Sequence, residues 1–133
     1  MPARPRLHVV DSSAWLAYFA DAPNAEQFAV AIEDADKLVV PAICLLEVFK
    51  VVARQRGEGD ALQAIAVMQQ GRVVELDAPL ALRAAALALE HRLPLADSIV
   101  YATAREVGGT VWTQDADFAG LADVRYLPAT GVP

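Results

Sequence analysis

Cysteine occurs once in this 133-residue sequence, at Cys44, and histidine only twice. A single thiol excludes an internal disulfide and a thiolate zinc cage, and it makes a reducing, cytoplasmic compartment the expected setting. Cys44 lies in an apolar run and reads as a small core residue rather than a nucleophile. His8 and His91 lack ligand-like spacing, so zinc held by histidine is not expected either. Long apolar stretches are missing too. Although 56% of the residues are hydrophobic, no run approaches the roughly 18 residues that span a bilayer, and no membrane association is expected. The start, MPARPRLHVV, has too brief an apolar segment before Asp11 to read as a secretory signal. Basic residues are in deficit, eleven against seventeen acids for a net charge of −6. That balance argues against a general nucleic-acid binder carrying a basic stripe. No GxxxxGK loop is present to cradle phosphates, which removes the support for an ATPase or GTPase.

What remains is an alternation. Apolar runs of strand length, LHVV (7–10), KLVV (37–40), VVEL (73–76), TVWT (110–113) and VRYL (124–127), are separated by longer runs at helical spacing. The helical runs are SSAWLAYFA, NAEQFAVAIED, AICLLEVFKVVARQ ending near Gly57, DALQAIAVMQQ, APLALRAAALALEH and ADSIVYATAREVG. Pro41 and Pro79 fall where a first helical residue tolerates proline. Short, nearly continuous apolar strands divided by helices predict a mostly parallel sheet of four to five strands, covered by helices on both faces. The expected class is a three-layer α/β fold forming one domain over 1–133, a length ample for a core without staples.

In such sheets ligands bind at the carboxyl ends of the strands. Two acids stand there: Asp11 after the first strand, in VVDSSAW, and Asp115 after TVWT. Capping alone accounts for an Asp before a helix, and Asp97 in LPLADSIVYATA has the same explanation, with Ser98 able to share the work. Asp115 and Asp117 also suit a loop acid bonded to its own backbone. Glu47 is harder to explain, because it interrupts AICLLEVFKVV in mid-helix. It either faces inward or forms a solvated stripe with Lys50 and Arg54. If Asp11, Glu47, Asp97 and Asp115 converge, their repulsion demands protonation or a cation. An all-oxygen donor set suits Mg²⁺ or Mn²⁺. Such a centre is well adapted to phosphodiester hydrolysis, with one ion or two sharing the work.

VVDSSAW, ICLLEVFKV, LPLADSIVYATARE and TVWTQDADF, in this order and in a chain of this length, resemble the PIN-domain nucleases. They are most similar to the small VapC-type toxins of bacterial VapBC toxin–antitoxin modules. The resemblance runs from Val9 to about Leu127. It implies an endoribonuclease with a Mg²⁺/Mn²⁺ site, in which Asp11 and Asp97 are the principal ligands and Glu47 and Asp115 complete the ring. Ser12 and Thr113 match supporting polar positions, and Asp117 matches the second acid of the last motif. It also implies an RNA substrate, a homodimer and a cognate antitoxin that blocks the acidic pocket. Nine of the eleven basic residues are Arg, which grips phosphate bidentately, and Lys50 and Arg54 on the Glu47 face are the candidates for holding the RNA backbone. AICLLEVFKVVA and ALQAIAVM offer surplus apolar surface that would serve a partner, or else fill an alanine-rich core. Two rival readings are a non-catalytic PIN-like interaction domain and another metal-dependent phosphohydrolase. Ser13 argues against the haloacid dehalogenase type, which needs an acid two residues after its nucleophilic Asp.

Overall fold

The computed structural model describes residues 6–129. The expectations of a single domain over 1–133 and of a leaderless N-terminus therefore extend partly outside the described residues. In chain order the elements are β1 (His8–Val10), α1 (Ser12–Phe19), α2 (Ala25–Ile32), β2 (Leu38–Pro41), α3 (Ala42–Arg56), α4 (Glu58–Met68) and β3 (Arg72–Val74). They continue with α5 (Ala78–His91), α6 (Leu95–Val107), β4 (Thr110–Thr113) and β5 (Val124–Tyr126), and single 3-10 turns cover Ala35–Lys37 and Ala116–Phe118.

All five strands pair in parallel, in the order β3-β2-β1-β4-β5. Val9, Val10, Val39, Val40 and Val111 are almost wholly buried, because a parallel sheet is covered on both faces. Each such side chain stabilises the fold by roughly 1.5–3 kcal/mol. Right-handed crossovers put α1 to α4 on one face, since β1, β2 and β3 step in one direction. They put α5 and α6 on the other face, where the chain jumps back across β1 to β4. A smaller apolar cluster of Leu80, Ala84, Ile99 and Ala102 joins α5 to α6. Gly57, at φ +95°, lets the chain break between α3 and α4.

Most element ends shift by a residue or two from expectation, and three of the differences bear on the sheet. Pro41 is not the first helical residue. It closes β2 with extended backbone (φ −61°, ψ 135°) and stands at the N-cap of α3, at a strand end where a missing donor is tolerated. Lys37 lies in the preceding 3-10 turn rather than in β2. The third strand covers Arg72–Val74 rather than VVEL, and Glu75 and Leu76 are exposed beyond it.

Candidate metal centre

The strand order reverses at β1, which lies between β2 and β4. Chains leave the carboxyl ends of β1 and β4 toward opposite faces, and the crevice between them is the topological switch point where open α/β sheets bind ligands. Val10 pairs with Trp112, so the next residues, Asp11 and Thr113, stand side by side at that crevice. α6 runs antiparallel to the strands and presents its first turn at the same rim, and that turn contains Asp97. Asp115 follows β4 by two residues. One carboxylate oxygen from each of Asp11, Asp97 and Asp115 lies within 4.8 Å of the others.

Asp11 is buried at 3% exposure and held from three directions. Its Oδ1 accepts from Ala14 N–H at 3.1 Å and from Ser13 Oγ at 2.8 Å, and its Oδ2 accepts from Thr113 Oγ1 at 2.9 Å. Capping of α1 and attachment to β4 thus coexist in one carboxylate. Thr113 is itself fully buried and accepts from Asp115 N–H at 2.9 Å, which ties the loop after β4 to the same network. Asp115 Oδ1 accepts from Asp117 N–H at 2.9 Å. Asp117 is exposed.

Asp97 is not a cap. Helix α6 begins at Leu95 with Pro94 at its N-cap and no side-chain capping bond. Ser98 donates to Leu95 C=O instead of sharing a cap. The Asp97 carboxylate, in the third helical position, is left to the crevice.

Burial pushes the Asp11 carboxyl up to about 6, against the opposing pull of its hydrogen bonds from Ser13, Ala14 and Thr113, and the charge of Asp115 adds to the rise. Desolvation, then the charge and hydrogen bonding of Asp115, then the charges of Asp11 and Asp117, push Asp97 up to about 8. At such separations two carboxylates repel by about 3 kcal/mol at an effective dielectric near 20. Among the described residues no ion pair relieves Asp11, Asp97 or Asp115. Three convergent hard oxygen donors with uncompensated charge fit a Mg²⁺ or Mn²⁺ ion, and offer no nitrogen or sulfur to favour zinc.

Glu47 lies outside this trio. It sits in the second turn of α3, half-buried, and its Oε1 accepts from Ser12 Oγ at 2.6 Å. Among the described residues it makes no ion pair with Lys50 or Arg54, both of which are exposed on α3. The solvated, self-paired stripe is therefore not what forms. Ser13 is the participant that sequence reasoning passed over. Besides bonding Asp11 it lies 3.3 Å from Thr113 Oγ1 and accepts from Gln114 N–H at 3.3 Å. Its only signal was a second hydroxyl directly behind the strand-end acid. Cys44 is fully buried, 3.9 Å from Val10 C=O, and burial raises its thiol far above the ordinary range, consistent with an inert core residue.

Beside the centre lies an open groove of about 580 Å³ between the α1–α2 turn, α3 and α4. Phe19, Pro23, Val51 and Val67 line it, and Gln114, the residue between Thr113 and Asp115, stands at its wall. Among the described residues no helix is long and apolar enough to cross a membrane.

A comparison with curated proteins found no match. Among solved structures, a toxin–antitoxin complex from Klebsiella pneumoniae superposes with a TM-score of 0.74 at 24% identity, covering 90% of this chain and 95% of that one. The sarcin–ricin loop cleaving toxin VapC20 of Mycobacterium tuberculosis gives 0.73 at 20% identity, over 88% and 96%. DNA-bound VapBC from Salmonella typhimurium gives 0.71 at 12% identity, over 93% and 98%. These likenesses establish a shared fold. The PIN domain family profile matches residues 8–124, the span that contains nearly the whole sheet and all the acids of the crevice, and the chain belongs to the PIN domain family.

Proposed function

We propose that the chain is a Mg²⁺- or Mn²⁺-dependent endoribonuclease, the toxin of a toxin–antitoxin pair. The observation that carries this reading is the convergence of Asp11, Asp97 and Asp115 at the switch point, with the carboxyls of Asp11 and Asp97 raised and, among the described residues, no ion pair to neutralise the three. One or two divalent ions, when bound there, would supply Lewis acidity toward a phosphodiester and an activated water. Asp11 and Asp97 would be the principal ligands and Asp115 the third. Thr113 and Ser13 hold the Asp11 carboxylate in one orientation, so the donor set is arranged before any ion arrives. Glu47, fixed by Ser12, would contribute through a bridging water rather than by direct ligation. Asp117 orders the loop through its N–H and adds negative charge at the rim.

Lys50 and Arg54 would hold the RNA backbone, since they lie one and two turns along α3 from Glu47 and are exposed. The antitoxin would lie in the groove between α1 and the α3–α4 pair and reach the acids past Gln114. That one fold relative is described as a toxin–antitoxin complex and another as a sarcin–ricin loop cleaving toxin supports the assignment.

The test is cleavage of a panel of structured and unstructured RNAs by the antitoxin-free protein. It is run with Mg²⁺ or Mn²⁺ and with EDTA, beside Asp11→Asn and Asp97→Asn. Cleavage that needs the ion and both aspartates supports the assignment. A folded parent that cuts none of the panel and binds neither ion would make it an interaction domain.

A further inference from the structure

The wall of the groove beside the acids carries two side-chain amides in contact. Asn24 stands at the N-cap position of α2, yet its side chain makes no capping bond. It is buried and turned toward the rim, where its Nδ2 donates to Gln114 Oε1 at 2.9 Å and to Leu127 C=O at 3.3 Å. Its own Oδ1 is buried and, among the described residues, has no partner. An unpartnered buried acceptor is destabilising, so a residue placed in this way needs a role besides stability.

The two bonds fix which way each amide faces. A backbone carbonyl only accepts, so Leu127 holds the Asn24 NH₂ group toward itself and toward Gln114. With a donor facing it, Gln114 presents Oε1 to Asn24 and turns Nε2 away. Reversing Gln114 would set two NH₂ groups against each other. Reversing Asn24 as well would set its Oδ1 against the Leu127 carbonyl. A free glutamine amide flips and reads either hydrogen-bond pattern, but this one has a single orientation. Among the described residues Gln114 Nε2 makes no hydrogen bond. The backbone of Gln114 is anchored too, by its N–H on Ser13 Oγ, and its neighbours Thr113 and Asp115 belong to the metal centre.

The groove in front of this amide suits a flat ring. Phe19 lines it, and Trp15 backs the Phe19 ring with 5.6 Å between centroids and 21° between planes. On the α3 wall Val51 and Gln55 each follow one of the residues assigned to the RNA backbone, Lys50 and Arg54. A single-stranded base is recognised by stacking on an aromatic face and by hydrogen bonds to its Watson–Crick edge. On that edge uracil and guanine present a carbonyl beside an N–H. Cytosine and adenine present an amine beside a bare ring nitrogen. Gln114, with Nε2 outward and a second lone pair on Oε1, matches the first pattern and not the second.

We propose that this groove holds one base of the RNA substrate, beside the bond cut at the acids, and that Gln114, oriented by Asn24, selects uracil or guanine there. The inference rests on the nuclease reading and adds a base preference to it. A partner chain lying in the groove would then displace the base as well as cover the acids.

The experiment is fluorescence anisotropy of the full chain in EDTA, with labelled oligouridine and oligocytidine of equal length, so that no step depends on a bound ion. These two RNAs differ only at the edge in question. The parent is expected to bind oligouridine about five-fold more tightly, or better. Gln114→Glu keeps an acceptor for Asn24 and turns a second acceptor outward, so the preference should reverse whatever happens to total affinity. Gln114→Met and Asn24→Ala should lose the preference, the latter by freeing the amide to flip. Phe19→Ala should weaken both RNAs alike, by about five-fold or more, and leave their ratio unchanged. If Asn24→Ala or Phe19→Ala does not fold, the two Gln114 variants decide. Equal binding of both RNAs by the parent overturns the proposal, while ion-dependent cleavage would still uphold the nuclease reading. A preference that survives both Gln114 variants overturns it as well, as do groove variants that weaken only the hold on a partner chain. A parent that neither binds nor cuts RNA overturns the proposal and the nuclease reading together.

Discussion

Thr113 Oγ1 donates to Asp11 Oδ2 at 2.9 Å, joining two residues 102 positions apart at the carboxyl ends of neighbouring parallel strands. Both are buried, and the hydroxyl also accepts from Asp115 N–H. One side chain therefore holds the carboxylate of one clustered acid and the backbone of a second.

Thr113→Val keeps the shape and removes the hydroxyl. The expected outcome is a 10- to 100-fold fall in divalent-ion affinity or cleavage, of the order seen when a ligand loses its supporting bond. Stability should fall by about 1–3 kcal/mol, because the buried carboxylate and the Asp115 N–H lose a partner. Thr113→Ser should retain most of both. Calorimetric Mn²⁺ titration beside thermal unfolding separates the two effects.

The acids also set a pH dependence for the ion-free protein. The folded values of Asp11 and Asp97, raised to about 6 and about 8, lie above the unfolded value near 3.8. Between those limits the folded state binds more protons than the unfolded chain, so stability falls as pH rises. In EDTA the Tm should decline from pH 5 to pH 8.5 on account of these groups. Asp97→Asn should flatten that decline, and Mg²⁺ should restore the parent at pH 8. A Tm decline that is unchanged in Asp97→Asn would show the repulsion to be relieved in some other way.

Glu47→Gln tests the acid outside the trio. The isostere keeps an acceptor for Ser12 and loses the charge. Ion binding by Asp11, Asp97 and Asp115 should stay within a few-fold of the parent, while RNA cleavage falls by about 10-fold or more, the scale of a lost outer ligand. If ion binding collapses together with cleavage, Glu47 is a direct ligand.

Lys50→Ala and Arg54→Ala bear on substrate grip. Each should weaken RNA binding without changing ion affinity, and each should reduce the slope of log affinity against log salt by about 0.7 for a single-stranded contact. Fluorescence anisotropy of a labelled RNA in EDTA, across a salt series, reads this without cleavage. Unchanged slopes in both variants would remove α3 from the RNA surface.

The fold was legible because the alternation of buried strands and helices is written in period and length, which need no long-range information. The rim position of Asp11 and Asp115 followed from it. Asp97 was found for an incomplete reason, since its place was read as a helix start whereas the helix begins two residues earlier, at Leu95. Ser13 was missed because its bond to Asp11 is local but one of several a hydroxyl there could make, and no local pattern announces its contacts with Thr113 and Gln114, about 100 residues away. The exposure of Leu82 and Leu89 on α5 was hidden for a different reason, since an apolar helical run does not show which of its sides α6 covers.

The pairing of β1 with β4 has a consequence in time. The first strand is made almost at once, but its neighbour and Thr113 come only after about four-fifths of the sequence. A contact so distant along the chain closes late in folding. Until β4 has docked, Asp11 has neither Thr113 to orient it nor Asp115 to crowd it. A chain emerging from the ribosome therefore carries no acidic crevice through most of its synthesis.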